Sequence, residues 1–135
     1  MLLIVCYNSW HLIIQLSTME VKLSVEAFLN AFKTKLGIWG ILIKSDRQKN
    51  LQTIADLEIR ETDVVDILFK LTVEDYSEGP LFDIVYGGAD MWVFGKQVKG
   101  HEIYIKITLG VPSSQTICIS FHFAKHPMAY PFKKH

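Results

Sequence analysis

Two stretches in the C-terminal half of the chain alternate apolar and polar residues with a period of two. In residues 101–109, HEIYIKITL, Ile103, Ile105, Ile107 and Leu109 point one way, and Glu102, Tyr104, Lys106 and Thr108 the other. In residues 116–123, TICISFHF, the apolar set is Ile117, Ile119, Phe121 and Phe123, with Thr116, Cys118, Ser120 and His122 opposite. Gly110 to Gln115 supply the intervening turn. Met91-Trp92-Val93-Phe94 is a third strand candidate, with Trp92 as a packing residue. A turn region from Gly95 to Gly100, holding Lys96 and Lys99, follows it.

The N-terminal half repeats every three or four residues instead. Val25, Phe28, Phe32 and Leu36 form one stripe of a helix that Ser24 can cap, with Glu26 in its first turn. Gly37 and Gly40 break that pattern, and Ile41-Leu42-Ile43 reads as a short strand or the end of the loop. Ser45 to Asn50 read as a turn. Asn50 is placed to cap a second helix, burying Leu51, Ile54 and Leu57. Thr62 is placed to cap a third, with Val64, Ile67, Leu68 and Leu71 on one face. Thr72 opens a further turn that ends at Gly79-Pro80. Pro127 and Pro131 predict an irregular surface tail. Helices before strands predict an α+β fold, with N-terminal helices packed on a small antiparallel sheet.

The first eighteen residues are largely apolar and hold no Lys, Arg, Asp or Glu. They lack the basic n-region of a signal peptide and are short for a membrane span. Residues 1–18 are therefore read as an apolar leader or mis-called start, and residues 19–135 as a single domain. An unusual anchor segment or a docked extra element are the alternatives. Cys6 and Cys118 are too few for a disulfide scaffold, and a reducing, cytoplasmic location is the expectation.

The 14 basic and 14 acidic residues give a net charge of zero, which excludes a general polyanion coat. That zero hides a segregation. Residues 1–53 carry six basic and three acidic side chains, and residues 54–90 two basic and ten acidic. Residues 91–135 carry six basic, one acidic and four of the five histidines.

If the two alternating stretches form a hairpin with their apolar faces together, two registers are open. Tyr104 opposes His122, or Tyr104 opposes Ser120 with His122 diagonal to it. Either register brings Tyr104, Lys106 and His122 onto one polar surface. Those residue types suit phosphate-ester chemistry. A lysine stabilises phosphate charge, and Lys96 or Lys99 could assist it. A histidine moves protons near neutral pH, and a tyrosine orients a phosphate or stacks on a base. An RNA substrate supplies its own nucleophile, the 2′-hydroxyl, so no metal or cofactor is required. A half-buried strand also carries ordinary polar residues, and the same face read blandly is simply solvated. Glu78 reads either as a general base or as a solvated loop acid. His101 and His126 read as surface or packing residues, Cys118 as a small strand residue, and no spacing suggests a metal site.

At GHEIYIKIT followed by ICISF, the chain resembles the MqsR family of bacterial toxins. The resemblance extends back through ADLEIRETDVVDILFKLTVEDY and covers roughly residues 51–123. The segment DYSEGPLFDIVYGGADMWVFGKQVKG looks like a variant subgroup. The resemblance implies a RelE-like α+β fold, a metal-independent mRNA interferase activity and a cognate antitoxin as partner. It places the family's catalytic tyrosine on Tyr104 and the following lysine on Lys106. The last strand, Ser-Phe-Lys in the family, is Ser120-Phe121-His122 here. Two positions depart from the family: a loop lysine is Glu78, and a glutamine after the strand tryptophan is Val93. Either Glu78 and His122 form the acid–base pair, or this branch has lost or changed the chemistry. The expected function is a toxin-type endoribonuclease. Its catalytic residues would be Tyr104, His122, Lys106 and Glu78, with Lys96, Lys99 and Ser120 on the RNA. The rival expectation is a non-catalytic module that binds a protein or nucleic acid with the same sheet face.

Overall fold

The computed structural model describes residues 2–45, 48–82 and 88–134, and the side chains of these apart from 2–14 and 16. Helix α1 spans Leu2–Trp39 and is followed by β1 (Ile41–Ile43), α2 (Gln48–Asp56) and α3 (Glu61–Phe69). A single 3-10 turn, Val73–Asp75, leads into β2 (Tyr76–Leu81), β3 (Met91–Val98), β4 (His101–Thr108) and β5 (Thr116–Phe123). The strands form one sheet in the order β1-β5-β4-β3-β2. This is the expected α+β arrangement of helices before a small sheet. The sheet is mixed rather than purely antiparallel, because β1 runs parallel to β5.

Helices α1 and α3 pack on one face of the sheet. Val25, Phe28, Leu29, Phe32 and Leu36 of α1 are buried against Trp92, Phe94, Ile103, Ile105 and Phe121. Phe28 stacks on Trp92 with ring centroids 5.0 Å apart, so Trp92 is a core residue. Val64, Leu68 and Leu71 close the same core with no exposed surface, whereas Leu51, expected inside, is 50% exposed.

Several local expectations change. α1 passes through Ser24 without a break, and the Ser24 Oγ donates back to the Glu20 carbonyl (2.9 Å) instead of capping a helix. Gly37 is helical, and the chain turns at Gly40, whose φ of +78° suits a residue without a β-carbon. The expected turn at 45–50 falls partly on residues 46 and 47, outside the described residues, and Gln48 to Asn50 are helical. α3 starts one residue before Thr62. The Asp63 carboxylate accepts from the Arg60 backbone N–H (2.8 Å) at its start, and that bond lowers the Asp63 pKa. In the same way the Asp75 carboxylate accepts from the Thr72 N–H (2.9 Å), which opens the 3-10 turn.

Asn50 does not cap α2. It is fully buried, and its side-chain amide donates to the carbonyls of Lys44 (3.0 Å) and Ile119 (2.9 Å). Its Oδ1 accepts from the Phe121 N–H (3.0 Å). β1 pairs with β5 only over Thr116–Cys118, so Asn50 serves the edge of β5 where β1 stops. Among the described residues no helix is long and apolar enough to cross a membrane.

Candidate active site

β4 and β5 carry the polar face. Tyr104 stands opposite His122 and Lys106 opposite Ser120, the first of the two registers open to the sequence. On β3, Gly95 opposes Tyr104 and Val93 opposes Lys106, while Glu78 of β2 opposes Val93. One row across the sheet is therefore Glu78, Val93, Lys106 and Ser120, and the next is Gly95, Tyr104 and His122. Past Lys106 the register shifts, so that Ile107 opposes Cys118. That bulge moves Cys118 off the polar face and into the core, contrary to the simple alternation. Burial pushes its thiol pKa up to about 12, the state of an inert core cysteine.

The rings of Tyr104 and His122 stack with centroids 5.1 Å apart and planes 11° from parallel. The Lys106 Nζ lies 6.0 Å from the centre of the Tyr104 ring. The His122 Nδ1 is 3.1 Å from the Phe123 carbonyl oxygen. A carbonyl only accepts, so this bond puts a proton on Nδ1 and leaves Nε2 for proton exchange.

These side chains line an open groove of about 570 Å³ together with Ser77, Glu78 and Ser120. Its remaining wall comes from Lys49 of α2 and from residues 124–129 after β5, including Lys125 and His126. Among the described residues, three lysines and two histidines thus face one carboxylate around the groove. Nothing in the sequence singles out Lys49 or Ser77. The basic charge of residues 91–135 is the one signal pointing to Lys125 and His126.

Lys96 and Lys99 lie elsewhere. β3 runs on through Val98, so Lys96 is a strand residue and not part of a turn. It opposes Ile103 in the core-facing row, and its Nζ pairs with the Asp75 carboxylate at 3.1 Å. Lys99, in the two-residue turn, donates to the Leu57 carbonyl at 2.8 Å. The turn expected from Thr72 to Gly79-Pro80 opens as a 3-10 turn but ends at Asp75, and β2 replaces the rest of it. Its strand contains Gly79 and Pro80 and two register shifts, which leave no alternation to read.

The C-terminal segment is pinned across the sheet. The Glu102 carboxylate accepts from the Tyr130 hydroxyl (2.7 Å) and from the Met128 N–H (3.1 Å). Phe132 stacks on Tyr76, with centroids 5.4 Å apart. Burial, then the bond to Glu102, raises the Tyr130 pKa. Among the described residues no three His, Cys, Asp or Glu side chains cluster as a metal site would. No protein-family profile, curated protein or solved structure matches this chain.

Proposed function

We propose that the protein is a toxin-type endoribonuclease, an mRNA interferase of the kind its MqsR-like sequence segments suggest, with a RelE-like fold. The observation that carries this reading is the stacked Tyr104–His122 pair, set near Lys106 in a cation-lined groove that Glu78 of β2 also lines. In the proposed reaction the 2′-oxygen of RNA attacks the adjacent phosphorus, and the bond from phosphorus to the 5′-oxygen breaks. His122 Nε2 takes the 2′-hydroxyl proton while the Tyr104 hydroxyl gives one to the leaving oxygen; in the alternative, with His122 protonated on both nitrogens, the Glu78 carboxylate takes the proton and His122 Nε2 gives one to the leaving oxygen. Lys106 balances the charge that grows on the non-bridging oxygens, with Lys49 and Lys125 in the supporting place that the sequence suggests for Lys96. Ser120 is nearly fully buried, so its part is to hold the floor opposite Lys106.

The chemistry needs neither cofactor nor metal. The acidic segment 54–90 suits a basic antitoxin, and such a toxin would act in the cytoplasm. The second reading, a binding module using the same face, is separated by one assay. Folded protein is incubated with mRNA in EDTA. Cleavage that survives chelation and falls by about 10²-fold or more in Tyr104→Phe and His122→Ala supports the ribonuclease. RNA binding without cleavage supports the binding module.

A further inference from the structure

A second concavity, of about 410 Å³, adjoins the groove on the α2 side, and Lys49, His122 and Lys125 line both. Its own lining differs in chemistry. Gln48, Gln52 and Asp56 follow one another at four-residue steps along α2, so they form one stripe, and all three are exposed. The Gln52 Nε2 donates to the Asp56 Oδ1 at 2.8 Å, which orients both groups. Phe123, half-buried against the core and edge-on to the His101 ring (5.1 Å between centroids), adds an aromatic wall at the rim.

The adjoining concavity shares Lys49 and Lys125 with the groove but adds Asp56 and two amides, so it is less cationic and richer in neutral hydrogen-bonding groups. A neutral, flat, hydrogen-bonding group fits the second space better. Amides and a carboxylate read base edges, and an aromatic side chain offers a stacking surface. We propose that this concavity is a nucleobase subsite. It takes the base next to the phosphate held at Tyr104 and His122, and favours bases with an exocyclic amino group, which the Asp56 carboxylate can accept from. This rests on the reading of the protein as an RNA enzyme, but concerns binding alone. Uracil, which lacks that amino group, is the disfavoured base.

The test uses fluorescein-labelled 2′-O-methyl RNA hexamers, which lack the attacking hydroxyl and cannot be cut. Each position in turn is made abasic, and affinity is read by anisotropy. The expected result is one position whose loss weakens binding about tenfold, with uracil there nearer to abasic than cytosine is. In Gln52→Ala and Asp56→Ala, whose folding is checked by circular dichroism, that sensitivity shrinks to about twofold or less. Uniform sensitivity along the hexamer, unchanged sensitivity in both variants, uracil bound as well as cytosine, or no RNA binding overturns the subsite. Because the probe is uncleavable, a protein that cuts no RNA still reports on the subsite. A protein that cuts RNA without base-dependent binding retains the ribonuclease and loses the subsite.

Discussion

The hydroxyl of Tyr130 occupies the space a β-carbon at residue 95 would need: that carbon would lie 2.1 Å from the oxygen. Gly95 has an ordinary backbone, so the glycine serves close approach and not an unusual turn. Gly95→Ala is expected to push Tyr130 off Glu102 and loosen residues 124–134, of which 124–129 wall the groove. Loss of that bond costs about 1.5 kcal/mol. Limited proteolysis of the C-terminal segment checks this. Faster cutting is expected in Gly95→Ala and Tyr130→Phe, with little further effect when they are combined.

Asn50 sets a larger stability term. Removing its amide leaves one buried carbonyl, one half-buried carbonyl and one buried N–H without this partner. Asn50→Ala is therefore expected to cost about 2–4 kcal/mol in urea unfolding, whereas exposed Gln52→Ala stays within about 0.5 kcal/mol. Comparable losses in the two variants would contradict the role assigned to Asn50.

Much of this site is legible in the amino-acid sequence. Alternation in HEIYIKIT and TICISFHF is enough to place Tyr104, Lys106 and His122 on one face, because a strand's side chains keep a strict period of two. The same rule fails at Cys118, since the bulge after Lys106 resets the phase and leaves no mark in residue type. Asn50 reads as a cap because an asparagine ahead of a helical stripe is well suited to capping it. Its actual partners on β5 lie about 70 residues away in sequence. Lys96 reads as a turn residue because Gly95 looks like the end of β3. Only the distant Tyr130 explains a glycine there.

Alkaline pH is expected to destabilise the fold. Burial raises the pKa values of Cys118, Tyr130 and Tyr76, and all three groups are neutral when protonated. The folded chain holds these protons to higher pH than the unfolded chain does. Their stabilising contribution is complete below the unfolded values, about 8.5 for Cys and 10 for Tyr, and is lost as pH rises through the folded ones. Melting temperature should fall above about pH 9. The slope should be shallower in Cys118→Ala between about pH 8.5 and 10, and in Tyr130→Phe above about pH 10. Slopes equal to wild type in both variants would contradict these assignments. In a Cys6→Ser background, Cys118 should resist maleimide at pH 8 until the chain is unfolded.

The groove cations should reveal themselves through salt. Each lysine–phosphate contact on a single strand contributes about 0.7 to the slope of log affinity against log salt. Lys49→Ala and Lys125→Ala are each expected to lower that slope by about this amount for uncleavable RNA. Lys96→Ala and Lys99→Ala, whose amines are engaged by Asp75 and Leu57, should leave it unchanged.

The most direct test of the account is the chemistry of the RNA ends. Folded wild-type protein is incubated with a defined mRNA in EDTA, and both termini at each cut are mapped. Attack by the 2′-hydroxyl under Tyr104 and His122 predicts a 5′-hydroxyl on one fragment and a 2′,3′-cyclic phosphate or its hydrolysis product on the other. It also predicts no cut where the nucleotide before the scissile phosphate is 2′-deoxy. A 3′-hydroxyl with a 5′-phosphate, cutting at 2′-deoxy sites, or intact RNA would contradict it.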